Sequence, residues 1–128
     1  MAAWVHSMVI FGLGYGVKAL EEVDWLKGKA ITYWGDIDSH GFAILAQLRS
    51  VLPQTQSMLM DRETLLRHRT LWGQEPGDRR ATTVPGGLTP PESALMRDLL
   101  ANALGERVRL EQERVPFGAL LEALAGLP

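Results

Sequence analysis

Short apolar runs alternate with amphipathic stretches along the first half of the chain. The apolar runs each end at a glycine or an aspartate, as buried strands often do, and they predict strands at residues 7–11, 30–34 and 57–60. The amphipathic stretches place apolar side chains at near-helical spacing and predict helices at residues 17–26, 42–52 and 61–71. Strands that alternate with helices predict an α/β fold in which a mainly parallel sheet is flanked by helices.

The second half of the chain predicts a long loop followed by further helices. Residues 72–91 form the loop, because five glycines and prolines interrupt its second half, and loops of this length in compact domains are often functional. A Thr-Pro-Pro-Glu sequence at residues 89–92 opens the next helix. Residues 117–124 predict a closing helix, whereas residues 108–113 fit neither a helix nor a strand clearly.

Composition narrows the classes of protein that fit this pattern. The 128 residues, 46% hydrophobic and 22% charged, suit one globular domain. The absence of cysteine excludes thiolate metal sites and cysteine nucleophiles. A formal net charge of −2 excludes a strongly basic, histone-like DNA binder but leaves a local basic face open. No apolar run approaches the roughly 18 residues of a membrane helix, and the start lacks the features of a signal peptide, so we expect a cytoplasmic protein with no membrane contact.

Asp36 and Asp38 are the strongest candidates for chemistry. They lie one residue apart just after a predicted buried strand, and ligands of parallel sheets gather at the carboxyl ends of the strands. Carboxylate oxygens are the ligands that Mg²⁺ or Mn²⁺ prefers, and such an ion neutralises charge on a phosphate. The spacing alone fits a solvated turn equally well, while the flanking Gly35 and Gly41 favour the metal site.

Other polar residues have two interpretations each. His40 either orients an aspartate or contacts a phosphate, or it is simply structural. Asp61 either caps the helix that follows it or adds a third acidic group. Glu111 and Glu113 either supply a further carboxylate to the site or lie in a solvated turn. The three glycines of residues 12–16 are spaced one position too closely for a dinucleotide-binding fingerprint, so a tight turn is the better interpretation.

Five arginines lie on the predicted third helix and in the long loop that follows it. On a mobile loop beside an acidic metal site, arginines suit contacts with DNA phosphates. A solvated charged face is the alternative. The candidate DNA-binding residues are Arg62, Arg67, Arg69, Arg79 and Arg80.

Several blocks of the sequence together resemble one known family. They are Val-Ile-Phe-Gly-Leu-Gly-Tyr-Gly at residues 9–16, Tyr-Trp-Gly-Asp-Ile-Asp-Ser-His-Gly-Phe at 33–42, Ile-Leu-Ala-Gln-Leu-Arg at 44–49, Met-Leu-Met-Asp at 58–61 and Leu-Glu-Gln-Glu-Arg at 110–114. These blocks resemble the C-terminal domain of JetD, the nuclease subunit of the bacterial Wadjet anti-plasmid defence systems. The resemblance covers roughly residues 9–124.

The resemblance implies a Toprim-like fold, the α/β module shared with the A subunit of topoisomerase VI. In that fold a glutamate and an Asp-x-Asp pair hold Mg²⁺, and Asp36 and Asp38 match the pair. The implied activity is metal-dependent endonuclease cleavage of plasmid DNA alongside condensin-like SMC partners. The Toprim glutamate would precede residues 7–11 by a strand and a helix, and residues 1–6 hold no acidic residue.

We therefore expect residues 1–128 to form a single, N-terminally truncated Toprim-like domain that lacks its first strand and helix. The free sheet edge invites pairing with a second copy of the chain, as a homodimer. Whether Glu111 or Glu113 replaces the absent ligand stays open at this point.

Two other functions remain open. Phosphatases of the haloacid-dehalogenase type also use Asp-x-Asp after a strand, with Asp36 attacking phosphate and Asp38 acting as an acid, although Ser39 and His40 depart from their usual pattern. An inactive domain that only binds a partner subunit fits the absent glutamate. Salt-dependent DNA affinity through the arginines separates a nuclease from a small-ester phosphatase.

Overall fold

The computed structural model describes Ser7, Met8, Ile10 and residues 14–127. The strands of this part of the chain are β1 (Thr32–Tyr33), β2 (Gln56–Ser57), β3 (Gly73–Gln74) and β4 (Val108–Arg109). Its α-helices are α1 (Ser39–Val51), α2 (Arg62–Arg67), α3 (Pro90–Leu100) and α4 (Phe117–Ala125). The strand predicted at residues 7–11 lies largely outside the described residues.

Strands β1 and β2 pair in parallel, with Thr32 opposite Gln56. This confirms the parallel pairing expected of the strands predicted at residues 30–34 and 57–60, although the observed ladder is only two residues long. Helix α1 makes the crossover between them. The predicted α/β character is therefore present at the centre of the described chain.

Strands β3 and β4 form a separate antiparallel pair, and an antiparallel bridge joins Ile37 to Leu110. Strand β3 lies inside the loop predicted at residues 72–91. That prediction rested on the glycines and prolines of the segment, and a two-residue strand is too short to show in the sequence pattern. The described part of the chain is thus mixed α/β, with parallel and antiparallel pairs, and not mainly parallel. A complete Toprim topology stays a prediction.

Helix α1 carries apolar side chains on two of its faces. Phe42 and Leu45 pack into the larger hydrophobic cluster, and Ile44 and Leu48 pack into a second cluster on the other side. The helix therefore lies between the two parts of the core. It begins at Ser39, three residues before the start predicted for it, because the side chain of Asp38 caps it. The fully buried large side chains of the larger cluster are Ile37, Phe42, Leu45, Met60, Leu65, Leu95, Met96 and Leu110.

The amphipathic helix predicted at residues 17–26 is present, but it is not α-helical. The structure has two 3₁₀ helices there, Gly14–Glu22 and Asp24–Gly28. The apolar side chains of this segment follow one another at intervals of three residues, which matches the three residues per turn of a 3₁₀ helix better than the 3.6 of an α-helix. All of them pack against the second cluster: Val17, Leu20, Val23 and Leu26.

Helix α2 is shorter than predicted, and a 3₁₀ turn, Arg69–Leu71, follows it. The Asp61 side chain accepts a hydrogen bond from the Thr64 N–H at 2.8 Å, so the capping interpretation of Asp61 is confirmed. At the other end, the indole of Trp72 donates to the carbonyl of Leu65 at 2.8 Å. The same carbonyl also accepts a hydrogen bond from the His68 N–H at 3.3 Å, so two donors close the C-terminal end of α2.

Helix α3 begins as the sequence predicts. Thr89 and Glu92 form a capping box, in which each side chain accepts a hydrogen bond from the other residue's backbone N–H. The closing helix α4 covers the predicted residues 117–124 and one more. Within the described residues, no helix has the length and apolarity needed to cross a membrane.

Candidate functional site

The two candidate aspartates lie in an extended turn between β1 and α1. Ile37 separates them and is buried, with an exposed fraction of 1%. Its backbone exchanges hydrogen bonds with Leu110, at 2.9 Å from its N–H and 3.1 Å to its carbonyl. Successive side chains of an extended chain point to opposite sides. Because the Ile37 side chain lies in the core, Asp36 and Asp38 both point to the side away from it.

Asp36 is tied to the segment that carries the Leu-Glu-Gln-Glu-Arg block. Its Oδ1 accepts a hydrogen bond from the backbone N–H of Gln112 at 2.8 Å. Gln112 opens the 3₁₀ turn Gln112–Arg114, which begins three residues after the end of β4. Two blocks that are 76 residues apart in sequence therefore meet at this aspartate.

Asp38 is buried, with an exposed fraction of 3%. Its Oδ1 accepts a hydrogen bond from the Gly41 N–H at 2.6 Å, which makes it the N-cap of α1. The pKa of the Asp38 carboxyl is raised to about 7, chiefly by burial; the charges of Glu75 and Asp36 also raise it, whereas the Gly41 N–H and Arg109 lower it. Asp38 is therefore a buried carboxyl with two other acidic side chains near it.

Gly41 allows the turn to fold back onto the helix. A Cβ at this position would lie 2.1 Å from the backbone oxygen of Asp36 and 3.2 Å from Oδ1 of Asp38. Only a residue without a side chain fits this contact. The proximity of Gly41 to the aspartates noted in the sequence thus has a steric reason.

Glu75 is the residue that the sequence analysis missed. It lies just after β3, and its exposed fraction is 2%. Its carboxylate accepts hydrogen bonds from the Ser39 hydroxyl, with oxygen separations of 2.7 and 2.9 Å, and from the backbone N–H groups of Ser39 at 3.3 Å and His40 at 3.0 Å. Only folding brings this residue, 36 positions along the chain from Ser39, to the start of α1. Nothing in the local sequence around Glu75 distinguishes it from a loop glutamate.

Two tyrosines border the acidic turn. Burial raises the pKa of Tyr15, and the charges of Asp38 and Glu75 add to the effect. Burial likewise raises the pKa of Tyr33, with contributions from Asp36 and Asp38. Both shifts reflect burial first, and the acidic side chains of the turn add to it.

His40 stands at the start of α1 and packs against Tyr15. The two rings meet edge to face, with their centroids 4.8 Å apart. The backbone of His40 bonds to Glu75, and its ring makes no hydrogen bond with the described residues. The geometry therefore assigns His40 a packing contact here, while its predicted phosphate role stays a prediction.

Arg109 brings a positive charge to the edge of this site. Its guanidinium donates to Oε1 of Glu111 at 2.9 Å, and its charge opposes the rise in the pKa of Asp38. The buried Nε–H of Arg109 has no hydrogen-bond partner among the described residues. Glu111 is thus engaged by an arginine, and Glu113 lies exposed in the 3₁₀ turn Gln112–Arg114.

The candidate DNA-binding arginines make different contacts. Arg62 pairs with Asp98 at 2.6 Å and Arg67 with Glu63 at 2.6 Å, and both side chains keep substantial exposure. Arg69 stacks over Trp72, 5.1 Å from the ring centroid.

Arg80 donates hydrogen bonds to the carbonyls of Leu99 and Leu100 and to Asn102. These contacts hold the loop against the C-terminal end of α3. The side chain of Arg79 lies outside what the structure describes.

The aspartates offer hard oxygen donors in an acidic setting. The hydrogen bonds of the described residues use Oδ1 of Asp36 and of Asp38 and leave Oδ2 of each aspartate free for another ligand. No group of three or more acidic or histidine side chains within the described ranges has the arrangement of a closed metal site. Two carboxylates are as many protein ligands as Mg²⁺ usually takes, since that ion keeps several waters.

Comparison with known proteins places the chain in a family. A comparison with curated proteins finds no match. The family model described as "Wadjet protein JetD, C-terminal" matches residues 1–124 of the 128. This chain therefore belongs to the family of JetD C-terminal domains of the Wadjet systems.

Proposed function

We propose that this chain carries the Asp36 and Asp38 part of a Mg²⁺- or Mn²⁺-dependent DNA-cleaving site in a Wadjet JetD-type nuclease. Family membership supports the assignment to JetD. The observation that carries the metal claim is geometric: backbone N–H groups hold Asp36 and Asp38 through Oδ1, and Oδ2 of each has no hydrogen bond with the described residues.

A divalent cation is the natural counter-charge for such a turn. When bound, it neutralises charge that develops on a scissile phosphate and positions a nucleophilic water. The chain's own contribution is to fix the two carboxylates. The bridge of Ile37 to Leu110, the Gln112 N–H and the Gly41 N–H hold them from three directions.

DNA is the proposed substrate. The exposed arginines of α2 and the turn after it, Arg62, Arg67 and Arg69, supply positive charge for phosphate contacts.

The remaining parts of the proposal follow from the family. Wadjet systems have several subunits, and we assign this domain to act with condensin-like SMC partners on plasmid DNA in the cytoplasm. Pairing with a second copy of the chain stays part of the same proposal. JetD membership favours a nuclease over a haloacid-dehalogenase-type phosphatase.

The test measures DNA affinity and cleavage together. Labelled duplex DNA is titrated with the full chain in EDTA, in Mg²⁺ and in Mn²⁺, for wild type, Asp36→Ala, Asp38→Ala and the exposed control Glu106→Gln. We expect the cation to strengthen DNA binding in wild type and control, and the gain to disappear in both aspartate variants. Supercoiled plasmid is incubated with the same proteins in parallel, and any conversion of the plasmid is expected only with a cation and both aspartates. Cation-independent binding and cleavage would overturn the proposal.

A further inference from the structure

We infer that Glu75 is a positioning residue that holds the first turn of α1, and through it Asp38, in place. The first four backbone N–H groups of a helix, counted from its N-cap, have no partner within the helix. In α1 the three that follow the N-cap Asp38 belong to Ser39, His40 and Gly41. Glu75 satisfies the first two and Asp38 the third.

Hydrogen bonds of Ser39 and Glu75 join the start of α1 to the loop that follows β3. The Ser39 side chain is fully buried. Its hydroxyl donates to Glu75 and accepts a hydrogen bond from the Ala81 N–H at 2.9 Å. Glu75 is fixed in turn by Arg107, whose carbonyl accepts from the Glu75 N–H at 2.7 Å and whose guanidinium donates to the Glu75 carbonyl at 3.2 Å.

This arrangement brings a second carboxylate beside Asp38 at an electrostatic cost. The two negative charges repel each other, yet both are retained at the positive end of one helix. Glu75 uses both of its oxygens on Ser39 and His40, so its carboxylate is engaged by the helix end. Its role is therefore to fix the first turn of α1, and with it the position of Asp38.

Two substitutions separate geometry from charge. Glu75→Asp keeps the negative charge but is one methylene shorter, so its oxygens no longer reach Ser39 and His40. Glu75→Gln loses the charge but keeps one acceptor oxygen at full reach. Glu63→Asp and Glu63→Gln are matched controls, because Glu63 is an exposed side chain on α2.

The first readout is hydrogen exchange at the Gly41 amide. Gly41 bonds to Asp38 and makes no hydrogen bond to Glu75, so its exchange rate reports the position of Asp38. We expect exchange at Gly41 to accelerate in Glu75→Asp and to change less in Glu75→Gln. This exchange is measured without any metal present. An unchanged rate at Gly41 in Glu75→Asp overturns the inference.

The second readout is the affinity of the full chain for Mn²⁺, and this readout alone rests on the proposed function. We expect a loss of about tenfold in Glu75→Asp, the size that outer contacts of metal ligands typically produce, and a smaller loss in Glu75→Gln. A larger loss in Glu75→Gln than in Glu75→Asp assigns the effect to charge and overturns the positioning role. Accelerated exchange with wild-type Mn²⁺ affinity also overturns it, because the contact is then only structural.

The two proposals fail differently. If wild type binds no Mn²⁺ at Asp36 and Asp38, the proposed function fails, and Gly41 exchange alone decides the role of Glu75. If Glu75→Asp does not fold, Ser39→Ala takes its place. It removes the hydroxyl that bonds to Glu75 and to the Ala81 N–H, and it leaves the charge of Glu75 intact. Its Gly41 exchange is then expected to accelerate, and an unchanged rate contradicts the inference.

Discussion

Asp38 and Glu75 divide between them the three backbone N–H groups that open helix α1. Two carboxylates thus share one helix end inside the protein, with exposed fractions of 3% and 2%. The helix dipole favours both charges, whereas burial and mutual repulsion oppose them. The rise in the pKa of Asp38 to about 7 is the net result.

This balance predicts how the stability of the metal-free chain changes with pH. The folded pKa of Asp38 lies above its ordinary 3.8, so the folded state holds a proton that the unfolded chain releases. Stability from this group therefore falls as pH rises from about 4 to about 7. Asp38→Asn keeps the acceptor for Gly41 and has no charge, so it is expected to match wild type near pH 4 and to exceed it above pH 7, by at most about 4 kcal/mol.

Urea unfolding in EDTA between pH 4 and pH 8 measures this difference. Asp24→Asn is the control, because the Asp24 side chain is 89% exposed. A wild type and an Asp38→Asn variant with the same dependence on pH would show that Asp38 is ionised without penalty.

Gly41→Ala is expected to damage the aspartate turn. Its Cβ would lie 2.1 Å from the Asp36 backbone oxygen, so the turn must move away from α1. We expect a loss in the free energy of unfolding of about 1–3 kcal/mol, with weaker Mn²⁺ binding. Gly86→Ala is the matched control, since a Cβ there meets nothing within 4 Å. Equal stability of the two variants would contradict the close packing at Gly41.

The ion pair between Arg49 and Glu92 predicts a second dependence on pH. It joins α1 to α3, and the Ser57 hydroxyl also donates to Glu92 at 2.6 Å. Burial favours a higher pKa, but hydrogen bonds from Arg49, Ser57 and the Thr89 N–H outweigh it and lower the pKa of Glu92 to about 2. The stabilisation is therefore present above the ordinary value of 4.5 and is lost as pH falls towards 2.

Glu92→Gln is accordingly expected to lower the free energy of unfolding at pH 7 by on the order of 3 kcal/mol. The difference from wild type should shrink as pH falls below 4.5. Glu63→Gln, in an exposed ion pair with Arg67, is expected to cost less than about 1 kcal/mol. Thermal unfolding at several pH values measures both, and a Glu92→Gln deficit that does not depend on pH would contradict the assignment.

The arginines are expected to divide into two groups. Arg80→Ala should lower stability by about 1–2 kcal/mol, because its guanidinium satisfies carbonyls at the end of α3. Arg67→Ala and Arg69→Ala should leave stability nearly unchanged, weaken DNA binding and reduce its salt dependence. Melting curves and DNA titrations at several salt concentrations distinguish the groups. A DNA affinity that is the same in all three variants as in wild type would remove the arginines from the interface.

Local patterns predicted the parts of this structure that local sequence determines. Helix α1, the capping box of α3 and the Asp61 cap rest on residues that are close in sequence, and the parallel pairing of β1 and β2 was expected from the alternation of strands and helices. The 3₁₀ geometry of Gly14–Glu22 could have been read from the three-residue interval between apolar side chains. The sequence prediction took this interval as close to helical spacing and did not distinguish three residues per turn from 3.6.

Contacts between distant segments account for what sequence alone did not predict. Asp36 and Asp38 were identified as candidates, but their partners Gln112 and Glu75 lie far along the chain. Strand β3 is two residues long and pairs only because β4 lies beside it. Glu75 has no periodicity or motif of its own, so its role emerges only when the loop folds against α1.

The most direct test of the acidic site is a Mn²⁺ titration of the full chain, followed by electron paramagnetic resonance of the free ion. The proteins are wild type, Asp36→Asn, Asp38→Asn and the control Asp24→Asn. We expect wild type and control to bind Mn²⁺, and each site variant to lose affinity by about tenfold or more. Identical titrations for all four proteins would contradict the central claim that Asp36 and Asp38 hold a divalent cation.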